Sequence, residues 1–275
     1  MFRVLFLECF LVLIGCGKCF SQGALPSFAT RVPVLAELFT SEGCSTCPPA
    51  DVFVQALDTQ PVPGIEIIVL SEHVDYWNQQ GWTDPYSSSE ISERQRAYAQ
   101  RFKLADVYTP QLVIDGYRQM AGSSAREADL ALRDARNQNK TTLRITDAIS
   151  ERGRVRAHVE SDRFNPEKES RSLDVYVAVA LNRAEGQVTK GENANRHLTH
   201  TAVMRKLTRI GKLKAGERFA RDIDLKIDSN IDPNNLRVIA FLQDPDSWRI
   251  YGVGMSLVTA TQHTDAKTFT PAVNH

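Results

Sequence analysis

A short buried strand that leads directly into a pair of cysteines and a helix is the feature that most restricts how this chain can fold. Residues 34–39 are an apolar run bounded by a proline and by polar residues, which is typical of a buried strand. Cys44 and Cys47 follow at once, and two prolines then open a helical pattern. Prolines are tolerated there because the first amides of a helix have no internal acceptor. The sequence therefore predicts that the Cys-Ser-Thr-Cys motif lies at a helix N-terminus.

Strand and helix patterns continue to alternate over the first half of the chain. Further strands are predicted at residues 65–70, 111–114 and 117–120, and further helices at 91–104 and 123–137. An Asp-Gly step between the last two strands is a hairpin signal. The resulting order is β-α-β-α-β-β-α with the cysteines after the first strand, which is the order of the thioredoxin fold.

The second half of the chain has a different pattern. Seven short strand patterns follow one another without helices between them, which favours an antiparallel sandwich. They occupy residues 141–149, 154–160, 173–181, 199–210, 218–227, 236–243 and 249–257. We therefore predict an α/β thioredoxin-like domain followed by an all-β, antiparallel sandwich-like domain. The predicted boundaries are a signal segment at 1–28, the thioredoxin-like domain at 31–139, the β-rich domain at 140–262 and a polar tail at 263–275.

The N-terminal segment predicts export. Residues 1–20 contain one positive charge before an apolar run at 4–14, at Arg3, and small residues after that run, as in a short signal peptide. The apolar run is too short to span a bilayer. The step Gly15-Cys16 also resembles a bacterial lipoprotein box, in which Cys16 would carry a lipid tether. A start codon assigned at the wrong position is a third alternative. The expected location is periplasmic or secreted.

The charge pattern argues against a nucleic-acid partner. Lysine plus arginine and aspartate plus glutamate both number 33, so the formal net charge is zero. The two signs are interspersed, and there is no basic stripe of the kind that attracts nucleic acid.

The number and spacing of the cysteines indicate thiol–disulfide chemistry. If the first 20 residues are removed, Cys44 and Cys47 are the only thiols left. A helix N-terminus stabilises a thiolate through its unpaired amides and its dipole. Cys44 is therefore predicted to be the exposed nucleophile and Cys47 the resolving thiol that releases the product. This chemistry needs no organic cofactor, and no metal ligand set is assigned.

A proline before the third strand supports the same interpretation. Thr109 and Pro110 precede that strand, at a junction that lies opposite the cysteine pair in the predicted topology. The Thr109-Pro110 bond is expected to be cis, so that Thr109 presents its backbone to a substrate strand. Thr109 and Pro110 are therefore the predicted substrate-binding residues.

Two alternatives to the redox function stay open at this point, and so does the role of Asp51. The two cysteines can form a purely structural bridge at a helix start. Together with His73 they can hold copper or zinc, because thiolate and imidazole suit both metals, in a metal-handling or ligand-binding module without turnover. Asp51, four residues after Cys47, can accept a proton from the resolving thiol or serve only as a first-turn helix acid. His200 is not expected to ligate a metal.

Several motifs together resemble one family. They are Glu37 to Asp51 around the cysteines, His73-Val74-Asp75-Tyr76-Trp77, Gly81-Trp82, Arg94 to Tyr98, Tyr108 to Gln111, Gly191-Glu192-Asn193 and Leu198-Thr199-His200. The chain resembles, from about residue 34 to its end, the thioredoxin-like exported proteins grouped as domain of unknown function 1223.

The resemblance implies a thioredoxin-like domain, a β-rich domain and export in bacteria, and it implies no settled activity. Cys44, Cys47, Thr109 and Pro110 match the motif positions. The expected function is that of an exported oxidoreductase whose partners are protein thiols or disulfides and an unidentified electron donor or acceptor.

Overall fold

The computed structural model describes residues 31–166 and 172–260. The predicted signal segment, Cys16 and the predicted polar tail lie outside the described residues. None of the described helices is long and apolar enough to cross a membrane.

The first half of the chain contains the elements that the sequence predicts, in the predicted order. They are β1 (Val32–Thr40), α1 (Pro48–Thr59), β2 (Ile65–His73), α2 (Ser89–Phe102), β3 (Gln111–Ile114), β4 (Arg118–Ala121) and α3 (Ala125–Arg136). Strand β1 pairs in parallel with β2 and antiparallel with β3, and β3 forms a hairpin with β4.

The second half of the described chain is built almost entirely of strands. They are β5 (Leu143–Glu151), β6 (Arg154–Ser161), β7 (Ser172–Gln187), β8 (His197–Lys214), β9 (Ala220–Lys226), β10 (Leu236–Gln243), β11 (Ile250–Leu257) and β12 (Thr259–Ala260). Single 3-10 turns lie at Asn78–Gln80 and Pro233–Asn235.

These strands do not form a domain of their own, so the predicted fold class is wrong. Within the described residues the strands form an eight-stranded mixed sheet in the order β11-β10-β7-β8-β2-β1-β3-β4 and a four-stranded sheet in the order β12-β5-β6-β9. Strand β8 pairs in parallel with β2 at Val203 and Ser71. The predicted thioredoxin-like domain followed by a separate all-β sandwich is replaced by one large mixed sheet with a smaller sheet packed beside it.

The burial of successive side chains along β1 shows that the large sheet is covered on both faces. Successive side chains of a strand point to opposite faces, and every residue from Val34 to Thr40 is buried. Val34, Ala36 and Leu38 pack with α1 and α3. Leu35 and Phe39 pack on the other face with α2 and with residues of β7 and β10. A third cluster fills the space between the β7–β10 region and the small sheet.

Candidate active site at the Cys44–Cys47 disulfide

The cysteine pair is oxidised and buried. Strand β1 ends at Thr40, a turn follows, and Cys47 caps the N-terminus of α1. Cys44 and Cys47 form a disulfide with their Cα atoms 5.4 Å apart. The position at the helix start is confirmed. The predicted exposure of Cys44 is wrong, because both cysteines have 0 % of their surface exposed while Ser45 and Thr46 between them are exposed.

A loop from the β-rich half lies against this motif. We call residues 188–196, which join β7 to β8, the covering loop. The buried side chain of Asn193 donates hydrogen bonds to the carbonyl oxygens of Glu42 (2.8 Å) and Cys44 (2.9 Å). The amide of Ser45 donates to Glu192 Oε2 at 3.1 Å. The covering loop therefore engages the backbone on both sides of Cys44.

The predicted substrate-binding residues lie at the same end of the sheet. The Thr109–Pro110 peptide bond is cis, as expected. Trp77 Nε1 donates to Thr109 Oγ1 at 2.7 Å, and a methyl group placed on Gly43 would lie 3.1 Å from Trp77 Cβ. Trp77 thus connects Thr109 with the turn that precedes Cys44.

Five buried ionisable side chains pack next to this turn. We call Glu42, Asp51, His73, Asp84 and His200 the histidine–carboxylate cluster; each is at most 4 % exposed. His200, which comes from β8, lies between two carboxylates. Its Nε2 is 3.4 Å from Glu42 Oε1, and its Nδ1 is 3.5 Å from Asp51 Oδ1. Asp51 also accepts a hydrogen bond from Thr40 Oγ1 at 3.1 Å.

A second histidine–aspartate pair completes the cluster. His73 Nδ1 and Asp84 Oδ2 are 2.7 Å apart, and Asp84 Oδ2 also accepts from the amide of Glu42 at 2.8 Å. The His73 and His200 rings are nearly perpendicular, with centroids 4.6 Å apart. His73 Nε2 is buried and has no hydrogen-bond partner among the described residues.

The charge state of the cluster follows from these contacts. Burial alone would lower the pKa of His200, but Asp51 and Glu42 outweigh it and raise that pKa to about 10. Burial alone would raise the pKa of Asp84, but His73 and the amide hydrogen bonds lower it to about 2. At neutral pH, His200 is therefore an imidazolium and Asp84 a carboxylate.

Aromatic residues of the segment after β2 enclose the cluster. Trp82 Nε1 donates to Glu42 Oε2 at 2.8 Å. The ring centroid of Tyr86 lies 5.5 Å from that of His73 and 6.1 Å from that of His200. These side chains shield the cluster from water, which strengthens the electrostatic interactions inside it.

Glu42 fits into a gap that a glycine leaves in β7, which leads to a testable prediction. A methyl group on Gly186 would overlap Glu42 Oε1. We expect Gly186→Ala to lower the free energy of unfolding by about 1–3 kcal/mol, as overpacking does in a well-packed site. Urea denaturation of Gly186→Ala, Glu42→Ala and the double variant measures this effect. The two changes should be strongly non-additive because shortening Glu42 removes the overlap; additive effects would contradict the assignment.

The cluster was largely missed by sequence reasoning. The sequence gives no reason to single out Asp84, and its only suggestion for His200 is a metal-ligand role that the spacing does not favour. Glu42 and His200 lie inside the motifs that carry the family resemblance, and this is the signal from which they could have been found. No group of three or more histidine, cysteine, aspartate or glutamate residues in the described parts of the chain is arranged to hold a metal ion.

Comparison with known proteins places the chain in a family. The family model described as protein of unknown function (DUF1223) matches residues 35–243. The chain belongs to this family. No curated protein matches it.

Two solved structures are similar over most of their length. A protein from Agrobacterium tumefaciens, a structural genomics target, is 23 % identical with a TM-score of 0.62, covering 89 % of this chain and 99 % of the other. HBP35 of Porphyromonas gingivalis is 14 % identical with a TM-score of 0.61, covering 89 % and 82 %. At these identities the likeness concerns the fold alone.

Proposed function

We propose that this protein catalyses thiol–disulfide exchange with protein substrates, using Cys44 and Cys47 as its redox couple. In the direction that starts from the disulfide, a substrate thiolate attacks Cys44 Sγ. The Cys44–Cys47 bond breaks, a mixed disulfide forms and Cys47 leaves as a thiolate. A second substrate thiolate then attacks the substrate sulfur of the mixed disulfide and releases Cys44. The substrate is oxidised by two electrons and the cysteine pair is reduced; the reverse sequence reduces a substrate disulfide.

The histidine–carboxylate cluster is the observation that carries this proposal. Burying ionisable groups is costly, and a disulfide that only ties down a turn needs none of them. Groups with shifted pKa values beside a reactive side chain mark candidate functional sites. Asp51 lies one helical turn after Cys47, and residues four apart share a helix face. Asp51 and the His200 imidazolium are therefore the groups that we assign to proton exchange with the Cys47 thiol.

The proposal includes export and specific roles for Thr109 and Pro110. A cysteine pair that forms a disulfide fits an oxidising compartment. Thr109 and Pro110 are assigned to alignment of the substrate polypeptide, since Trp77 holds Thr109 beside the cysteine turn.

The reactivity of the reduced pair tests the proposal. We expect Cys44 of the reduced protein to be alkylated by iodoacetamide with an apparent pKa in the range of about 3.5–7.5, because the thiolate lies at a helix N-terminus. The reduction potential is expected at about −270 mV or less negative. Reduced Cys47→Ala should accumulate mixed disulfides with protein substrates that carry a disulfide, because the Cys44 thiolate attacks that disulfide, one substrate sulfur leaves as a thiolate and no Cys47 thiol remains to release Cys44. Cys44→Ala, its matched control, should not.

A structural bridge gives the opposite results. An unshifted Cys44 thiol, or a potential more negative than about −300 mV, would rule out the exchange function and leave a structural clamp at the start of α1.

A further inference from the structure

We infer that the covering loop occupies the surface on which the substrate polypeptide binds, and that it must lift away before Cys44 reacts. This inference rests on the proposed function. Exchange requires a thiolate to reach the Cys44 sulfur, yet both cysteines are fully buried. The Cys44 backbone is held by a loop that comes from the other half of the chain. A path to the sulfur therefore has to open.

The covering loop is built to move as a unit. Its two ends are closed by backbone hydrogen bonds, from the Val188 amide to Arg196 O (3.0 Å) and from the Asn195 amide to Val188 O (2.8 Å). Val188 and Asn193 are buried, and the other residues of the loop are exposed. The loop is thus a small closed hairpin end attached to the long strands β7 and β8.

Among the described residues, the contacts between this unit and the site come from Asn193, Glu192 and Gly191. Asn193 donates two hydrogen bonds to the cysteine turn. Arg196 holds the Asn193 side chain in this orientation by donating to Asn193 Oδ1 at 2.8 Å. Glu192 supplies the contact with Ser45. At the tip, a methyl group on Gly191 would lie 3.2 Å from Gln80 O, so the backbones come close there. Each of these hydrogen bonds contributes only a small net free energy, so the binding free energy of a polypeptide can compensate for breaking them.

The groups that the loop engages indicate the kind of partner. Asn193 donates to a backbone carbonyl and Glu192 accepts from a backbone amide, on two successive residues of the cysteine turn. The Cys44 carbonyl and the Ser45 amide belong to one trans peptide group and point in opposite directions. A bound polypeptide can therefore replace one contact with a backbone N–H or carbonyl and the other with a side-chain group. A thiol without peptide groups, such as 2-mercaptoethanol, offers no backbone donor or acceptor. The partner that fits this surface is a cysteine-containing polypeptide segment.

Removal of the Asn193 amide tests the inference. We expect Asn193→Ala to accelerate reduction of the Cys44–Cys47 disulfide by tris(2-carboxyethyl)phosphine by about tenfold, because closure loses two hydrogen bonds. The rate with a short peptide that contains one cysteine in an extended sequence should rise by a similar factor and exceed the rate with 2-mercaptoethanol at equal thiolate concentration. Lys190→Ala, an exposed position of the same loop, is the control and should change both rates less than twofold.

Hydrogen exchange separates loop opening from general unfolding. In Asn193→Ala the Ser45 amide should exchange faster, whereas the Val69 amide in the core should keep its rate. Equal acceleration at both amides, or an unchanged rate of reduction by the phosphine, would overturn the covering role. If the phosphine reaction becomes faster but the peptide reacts no faster than 2-mercaptoethanol, the polypeptide assignment would be overturned. The phosphine reduces the disulfide without catalysis by the protein, so its rate tests loop opening alone. The Cys44 pKa and the reduction potential test the exchange function separately.

Discussion

Replacing His200 by glutamine is expected to lower the free energy of unfolding by on the order of 4 kcal/mol near pH 6 and to have little effect above pH 10. A histidine pKa raised from its ordinary 6.5 to about 10 corresponds to this free energy. The sign follows from the raised pKa: the stabilisation is fully present below the unfolded pKa and is lost as the pH rises through the folded one. Urea denaturation of both proteins at pH 6, 8 and 10 measures the difference.

A neighbouring histidine provides the control for this experiment. His197 is exposed on the same strand, and its Nε2 lies 3.1 Å from Glu185 at the surface. His197→Gln should change the free energy of unfolding by less than about 1 kcal/mol at every pH, as exposed ion pairs do. Parallel pH curves for the native protein and His200→Gln would show that His200 is not held as an imidazolium between Glu42 and Asp51.

Replacing Arg94 by methionine is expected to lower the free energy of unfolding by about 3–5 kcal/mol, the usual cost of breaking a buried ion pair. Arg94 reaches from α2 to Glu37, with Nε donating to Oε1 at 3.0 Å and Nη2 contacting the same oxygen. Tyr98 donates to the other oxygen of Glu37 at 2.6 Å. Glu72 Oε1 lies 3.5 Å from Arg94 Nε. Loss of the guanidinium leaves two fully buried glutamates without their cation.

The pKa of Glu72 provides a second test of the contacts that Arg94 makes with Glu37 and Glu72. Burial raises the pKa of Glu72 well above its usual value, and Arg94 opposes that rise. Removing Arg94 should therefore raise this pKa further, and carbon-13 NMR of the carboxyl group detects the change.

Controls for the Arg94 prediction come from the same helix. Arg96 is exposed two residues away, so Arg96→Met should cost less than about 1 kcal/mol. Adding Glu37→Leu to Arg94→Met should recover part of the lost stability, because an apolar pair can replace a buried ion pair. A loss of stability in Arg94→Met no larger than that in Arg96→Met would contradict the role assigned to the network.

Local structure was largely predictable from this chain. The strand predicted at residues 236–243 is β10 (Leu236–Gln243), and the predicted run 34–39 lies within β1. Hydrophobic periodicity and turn residues act over a few positions, so one sequence is enough to place such elements. The error concerned which strands share a sheet. Five successive apolar residues in β10, from Val238 to Leu242, are typical of a strand covered on both faces, and they argue against a half-exposed sandwich strand.

The sequence by itself determined where the strands and helices lie, that Cys44 and Cys47 are at a helix start, and which family the chain belongs to. The first two depend on residues that are close together in the chain, and the family is identified from short motifs distributed along it. Only the tertiary structure decided that β8 joins β2, because sheet pairing connects segments whose local patterns do not identify their partners. That pairing brings His200 and Asn193 to the cysteine turn from far along the chain, and it is the reason that a buried cluster of charges lies beside the disulfide.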